Sequence, residues 1–179
     1  ALKVLSALSE LAQSGIKIFY LAGNHDGHPG SFLEQQVGLT VIRRNLDLEI
    51  DGRKFHFTHG DGIAAADRGY RMLRSLVRWG PTEGIFRLVH PDFGIRFAAW
   101  LSNASTEHFS VTDKFGIDPY KKYAFNKIDE GFDFVVMGHR HKSEFHRYKN
   151  GAFLGVGGWI PDGGYGIFKG GEAMIKHFA

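Results

Sequence analysis

Three short stretches hold the residues most able to do chemistry: Gly23-Asn24-His25-Asp26, His59-Gly60-Asp61 and Gly138-His139-Arg140-His141. Each follows a stretch that reads as a strand, so each is expected in a loop at a strand end. A glycine there lets the backbone turn tightly, and Gly138 would let His139 and His141 both reach past the sheet edge. Two imidazoles one residue apart are well placed to hold metal, since histidine is the commonest metal ligand. Brought to one edge, Asn24, His59, His139 and His141 offer three imidazoles and a carboxamide oxygen. That mixed nitrogen and oxygen set suits manganese, iron or zinc better than calcium. Asp26 and Asp61 could each orient a ligating imidazole through its other ring nitrogen. His25, beside Asn24, could act as a general acid or stabilise phosphoryl oxygens. The plain alternatives are that Asn24 is a turn residue and Asp61 a turn residue or helix N-cap. His28, His56, His90, His108, His146 and His177 have no such context and read as surface or satisfied core.

The elements that must position these loops are legible in order. Leu2, Leu5, Leu8, Leu11 and Ala12 share one face of an amphipathic helix over 2–12, with Gly15 as its C-cap. Residues 16–21 read as a strand feeding the Gly-Asn-His-Asp loop. Residues 31–37 read as a short helix, with Ser31 as N-cap and Glu34 at the capping-box position. Residues 46–50 alternate apolar and polar, Asp51-Gly52 is a hairpin signal, and 53–58 is the return strand that delivers His59. Over 64–130 the apolar residues recur at helical spacing, with Arg68, Arg71, Arg74 and Arg78 on their own near-helical spacing. This is read as a helical cap insertion, broken near Pro81, Pro91 and Pro119. Strands are expected at 132–137, 144–148, 152–156, 164–168 and 172–177, with turns at Asn150-Gly151 and Gly170-Gly171. The expected fold is therefore a layered α/β sandwich in three parts: core residues 1–63, the cap 64–130, and core residues 131–179.

Length and composition narrow the classes. A chain of 179 residues is enough for one sizeable core, and 43% hydrophobic with 23% charged residues argues against long disorder. No cysteine is present, which excludes disulfides and thiolate zinc sites. The net charge is only +3, so the basicity is local to the cap rather than global. No apolar run approaches the roughly 20 residues that span a bilayer, and no signal-peptide pattern opens these residues. A cytoplasmic location is expected, peripheral on the inner face of the inner membrane.

G-N-H-D, then H-G-D, then G-H-x-H, each after a strand, resembles the calcineurin-like metallophosphoesterase superfamily. The resemblance implies an α/β/β/α sandwich and two divalent metal ions about 4 Å apart that activate water against phosphorus. It implies that Asn24, His59 and His139 hold one ion, that His141 completes the other, and that His25 faces phosphate. Manganese is the first expectation, with iron or zinc as alternatives. Two further family motifs, D-x-H and G-D-x-x-D, by the resemblance supply the remaining ligands, including the bridging aspartate. Neither occurs before Gly23, so the N-terminal strands of the sandwich are expected to be missing here and these residues by themselves are expected to hold metal poorly. H-G-D followed by Asp67 and Gly69-Tyr70, the cap, and Gly157-Gly158-Trp159 are similar to the UDP-2,3-diacylglucosamine pyrophosphatases of lipid A synthesis. That likeness implies a lipid-linked nucleotide sugar as substrate, cleaved to acylated sugar 1-phosphate and UMP. It also implies that Asp67 contacts the sugar. Ser102, Ser105, Lys114, Lys121 and Lys122 lie in the region of the substrate-binding cap residues, of which Ser102, Lys121 and Lys122 are taken as candidates. Those enzymes often carry arginine where this chain has His25.

An apolar cap could house acyl chains, and its arginines could meet anionic headgroups at a membrane surface. The plain reading of the same residues is a helical layer with a solvated basic face. Nucleic acid is disfavoured, because the cap aromatics recur at helix-core spacing rather than alternating with charges as a stacking platform would. Two other functions fit the motifs: a phosphodiesterase or phosphatase of a soluble substrate or nucleic acid, and a non-catalytic scaffold with a degenerate metal site.

Overall fold

The computed structural model describes residues 2–24, 26, 31–63, 118–160 and 162–178. The chain divides into two compact units, residues 1–60 with 124–179, and residues 61–123.

In the first unit, helix α1 (Leu2–Gln13) forms where the leucine spacing places it. Its end is a Schellman turn: Ile16 N–H reaches Leu11 O at 3.2 Å, Gly15 N–H reaches Ala12 O at 3.0 Å, and Gly15 has φ +91°. Strand β1 (Phe19–Leu21) is shorter than the expected 16–21, because only those residues have a ladder partner. That partner is β2 (Thr40–Ile42), a parallel strand absent from the sequence reading. Between them, Leu33–Val37 is a π-helical turn rather than a capped helix. The capping box expected at Ser31 and Glu34 does not form: the turn enters through Phe32 with no side-chain cap, and the Ser31 hydroxyl donates to Gln35 Oε1 at 3.3 Å instead.

Strands β3 (Leu46–Ile50) and β4 (Arg53–Thr58) form the expected hairpin, with Asp51 at φ +50° and Gly52 at +71°. Two consecutive left-handed residues are the conformation that makes Asp-Gly a hairpin turn. Helix α2 (Pro119–Asp129) opens with Asp118 Oδ1 accepting the Tyr120 N–H at 3.0 Å and Pro119 in the first turn. After it come β5 (Phe134–Met137), β6 (Glu144–Tyr148), β7 (Gly151–Gly155), β8 (Gly164–Lys169) and β9 (Glu172–His177).

The central sheet has five strands in the order β3-β4-β5-β7-β6, with β4, β5 and β7 parallel and both edge pairings antiparallel. This is a mixed α/β arrangement around one sheet, the class expected. Phe55 stacks on Phe57 and Phe134 from the sheet and meets Phe168 of β8 edge-on at 4.9 Å, so the β8–β9 hairpin forms a second layer. Val135, Met137 and Phe153 are fully buried, which places the densest packing on the strands that end at the motif loops. Burying three such side chains contributes roughly 5–8 kcal/mol at about 25 cal/mol per Å².

Candidate metal and phosphate site

Parallel neighbours end at the same sheet edge, and β4, β5 and β7 do so here in near-perfect step. Thr58 pairs with Met137, and Met137 pairs with Gly155. The next residues therefore lie together: the Gly138 N–H reaches Thr58 O at 3.4 Å, and the Val156 N–H reaches Met137 O at 2.8 Å. His59 and the Gly138–His141 loop consequently share one edge.

The loop after β1 arrives at the same histidine. Asn24 Oδ1 lies 2.9 Å from His59 Nε2. The approach depends on Gly23, where an added Cβ would lie 2.6 to 2.9 Å from three atoms of the His59 ring. His59 and His139 then face each other with ring centroids 5.1 Å apart at 66°. His139 Nε2 is buried, whereas His141 is exposed. Both residues hold left-handed backbones, φ +67° for His139 and +51° for His141. Such a conformation costs a non-glycine residue about 1–3 kcal/mol and persists only where its surroundings enforce it.

Two glycine stretches support the histidines. Gly60, at φ +103°, lies under Met137 and His139, where a Cβ would come within 2.8 Å of Met137 Cγ. Gly158 packs on the His141 ring, with a Cβ position 3.0 Å from Cγ. Gly157 backs onto Asp162 and Ser143, whose hydroxyl donates to Asp162 Oδ2 at 2.5 Å. The Gly-Gly-Trp segment therefore has a physical role here, which is to let one backbone close against the second histidine loop.

Asp26 acts on its own loop. Its carboxylate accepts the Tyr20 hydroxyl at 2.7 Å and the Gly23 N–H at 2.5 Å. Partial burial and the adjacent Asp26 carboxylate push the Tyr20 hydroxyl up to about 12. Asp61 opens the second unit, in the turn 61–62. Lys121 and Lys122 lie on the first half of α2, half-buried and exposed respectively. His25, Asp67, Ser102, Ser105 and Lys114 fall outside the described residues, as do His28 and most of the expected cap.

The donor types fit divalent metal. A carboxamide oxygen and an imidazole nitrogen already touch, and a second imidazole lies across from the first. Among the described residues, however, no three His, Cys, Asp or Glu side chains are drawn into ligating geometry. The structure thus shows the ligand types converging rather than a formed coordination shell.

Sequence reasoning missed Glu144. This carboxylate begins β6 with its side chain 7% exposed, and takes Arg140 Nη1 at 3.1 Å and His146 Nε2 at 2.9 Å. The signal available was a lone glutamate just after the G-H-x-H loop, opening the strand Glu144–Tyr148. Sequence alone also does not show that His56 is buried, with Nδ1 2.6 Å from Asp47 Oδ1 and its ring on Phe132. It is a satisfied core histidine, as its lack of motif context suggests.

Comparison with known proteins agrees with the motifs. No protein-family model matches the chain. Curated proteins named UDP-2,3-diacylglucosamine hydrolase do match. That of Haemophilus ducreyi is 24% identical over 161 residues, 89% of this chain and 69% of the relative. That of Porphyromonas gingivalis is 25% identical over 192 residues, 97% of this chain and 73% of the relative. That of Yersinia pseudotuberculosis is 24% identical over 145 residues, 80% of this chain and 60% of the relative. The chain thus spans 60–73% of the length of these relatives. Among solved structures, a Thermotoga maritima protein determined by solution NMR aligns over 96% of this chain and 71% of its own, at 16% identity and TM-score 0.41. A structure described as a novel archaeal phosphodiesterase aligns over 94% of this chain and 73% of its own, at 16% identity and TM-score 0.45. Over most of its sequence, this chain is similar to the UDP-2,3-diacylglucosamine hydrolases.

Proposed function

We propose that this chain carries the hydrolytic centre of a metal-dependent phosphoester or pyrophosphate hydrolase. The observation that carries the proposal is that His59 and His139 lie together at the end of the parallel strands β4 and β5, with Asn24, from the loop after β1 of a separate sheet, in contact with His59. Asn24, His59 and His139 would hold one divalent ion and His141 would help to hold a second, with manganese first and iron or zinc as alternatives. Divalent ions at such a place supply a lowered pKa for water and charge stabilisation for phosphoryl oxygens. The chain's own part is to fix the donors: Gly23 and Asp26 set the Asn24 loop, and Gly158 backs His141. His25, one residue from Asn24, is the candidate to face the phosphoryl group.

The substrate proposed is UDP-2,3-diacylglucosamine. One P–O bond of its pyrophosphate breaks and the oxygen of water joins phosphorus, giving the acylated sugar 1-phosphate and UMP. The names of the relatives support this choice, together with the Asp67 and Gly-Gly-Trp features of the sequence. Asp67, Ser102, Lys121 and Lys122 are the candidate substrate contacts. The proposed setting is the cytoplasmic face of an anionic membrane, approached through Arg68, Arg71, Arg74 and Arg78. No helix among the described residues is long and apolar enough to cross a bilayer.

The test is release of UMP from UDP-2,3-diacylglucosamine with added Mn2+, comparing wild type and His139→Ala. UMP release by the wild type and its loss in the mutant support both metal and substrate. Cleavage of only a generic phosphodiester, still dependent on His139, keeps the hydrolase and discards the lipid substrate. No His139-dependent hydrolysis of either compound refutes the proposal and favours a scaffold role.

A further inference from the structure

We infer that Glu144 is the positioning residue of the loop that presents His139 and His141, an inference that takes its functional meaning from the metal-centre reading above. The loop needs such a device. Both histidines sit at positive φ, and only Arg140 separates them. The Arg140 N–H makes a tight turn bond to Gly138 O at 2.8 Å, so the direction of the Arg140 side chain is tied to the turn itself.

Glu144 holds that side chain from a fixed point. It is the first residue of β6, paired in register with Gly155 of β7. Gly155 leaves the space its stem occupies, since a Cβ there would come within 2.8 Å of Glu144 Cγ. One carboxylate oxygen takes Arg140 Nη1 at 3.1 Å. The other takes His146 Nε2 at 2.9 Å, with Lys142 Nζ 3.9 Å away. The carboxylate thus grips the residue before His141 and neighbours the residue after it, while His146 anchors it to its own strand. An arginine–carboxylate contact is charge-assisted, and burial strengthens it relative to a surface pair. A buried carboxylate could instead serve stability alone, so the distinction must be measured.

The experiment uses Glu144→Gln, which keeps volume and removes charge, and Arg140→Met with Arg140→Lys as the conservative partner. The first readout is amide hydrogen exchange, with the Ala152 amide, bonded to Asp133 O across the same sheet, as internal reference. Glu144→Gln is expected to speed exchange at the Arg140 amide about tenfold or more while Ala152 is unchanged, as local opening requires. The second readout is Mn2+ affinity by calorimetry. Groups that orient ligands are typically worth 10–100-fold in affinity, so Glu144→Gln and Arg140→Met should each weaken binding at least tenfold. Their combination should be no worse than either alone, and Arg140→Lys should restore part of the loss.

Unchanged exchange at Arg140 in Glu144→Gln overturns the inference, as does an equal rise at Ala152, which would mark a purely structural carboxylate. Mn2+ affinity unchanged in Glu144→Gln, where His139→Ala abolishes it, overturns the inference while leaving the metal reading standing. Wild type binding Mn2+ no better than His139→Ala refutes the metal reading, and the exchange readout then decides the role of Glu144 by itself.

Discussion

Gly23→Ala isolates one contact on which the site depends. Gly23 does not have a positive φ, so alanine is acceptable to its backbone and the penalty must come from space. The added methyl would lie 2.6, 2.7 and 2.9 Å from Cε1, Nε2 and Nδ1 of His59. The obstacle is a ring already bonded to Asn24, so either the ring or the Gly23 loop must shift. Overpacking of this kind costs about 1–3 kcal/mol, and losing the 2.9 Å Asn24–His59 contact adds about 1 kcal/mol. A destabilisation of about 2–4 kcal/mol is expected in urea denaturation followed by circular dichroism. Mn2+ affinity should fall further than stability predicts, by 10–100-fold, because donor placement is disturbed directly. Gly138→Ala is the control. Its methyl would lie 3.6 Å from His59 O and 3.7 Å from His59 Nδ1, ordinary contacts that should cost under about 1 kcal/mol. Equal effects of the two substitutions, or a neutral Gly23→Ala, would refute the view that close approach at Gly23 builds the site.

Further outcomes follow from other contacts. Gly60→Ala combines φ +103° with a methyl 2.8 Å from Met137 Cγ, and should cost about 3 kcal/mol or more in the same denaturation assay. Gly158→Ala should push the His141 ring, 3.0 Å from the new methyl, and lower Mn2+ stoichiometry or affinity with little change in the unfolding midpoint. The raised Tyr20 pKa, about 12 against an ordinary 10.0, gives stability that is complete below pH 10 and lost as pH rises through 12. Tyr20→Phe should flatten that alkaline loss in urea midpoints recorded across the range, and an unchanged slope would count against the Tyr20–Asp26 pair. Asp133 has the opposite sign. The Lys54 backbone N–H, then the Arg53 guanidinium, holds its carboxyl below the usual range. Its contribution is present above the ordinary value of 3.8 and lost as pH falls below it, so Asp133→Asn should reduce the steepness of acid unfolding.

The readable parts of this fold were those where one residue's chemistry fixes one conformation. Asp51-Gly52 specifies two left-handed residues, and the flanking alternation from Leu46 to Ile50 specifies which side is buried. The leucines of α1 and Gly15 likewise state a helix and its end without outside help. Local signals failed where a partner decides. The three residues Thr40–Ile42 become a strand only because Phe19–Leu21 lies parallel to them, and the same pairing cuts β1 to half its expected length. Ser31 and Glu34 have the spacing of a capping box, yet the Ser31 hydroxyl is taken by Gln35 and the turn closes as a π-helix. A capping box competes with every other acceptor within reach, which spacing alone does not reveal.

The same division runs through the site. That His59 and His139 should meet was legible, since each follows a strand and the parallel β4 and β5 deliver their loops to one edge. Asn24 arrives from β1 of a separate two-stranded sheet, and its contact with His59 is what brings that loop to the same place. What holds them in place was not. Gly23, Gly158 and Glu144 contribute through what lies beside them in space: a ring, a ring and a guanidinium supplied from distant or intervening sequence. A motif names donors because donor chemistry is a property of a residue. Support is a property of a pair: Gly23 and Gly158 stand in motifs that the sequence shows, but which ring each one backs, and that Glu144 holds Arg140, appear only in space. The strained backbones of His139 and His141 show why this matters, since residues at φ +67° and +51° keep those angles only while their neighbours oppose relaxation. Changing the neighbours should therefore alter the site as surely as changing the ligands, and Glu144→Gln, which touches no proposed donor, is the sharpest place to see it.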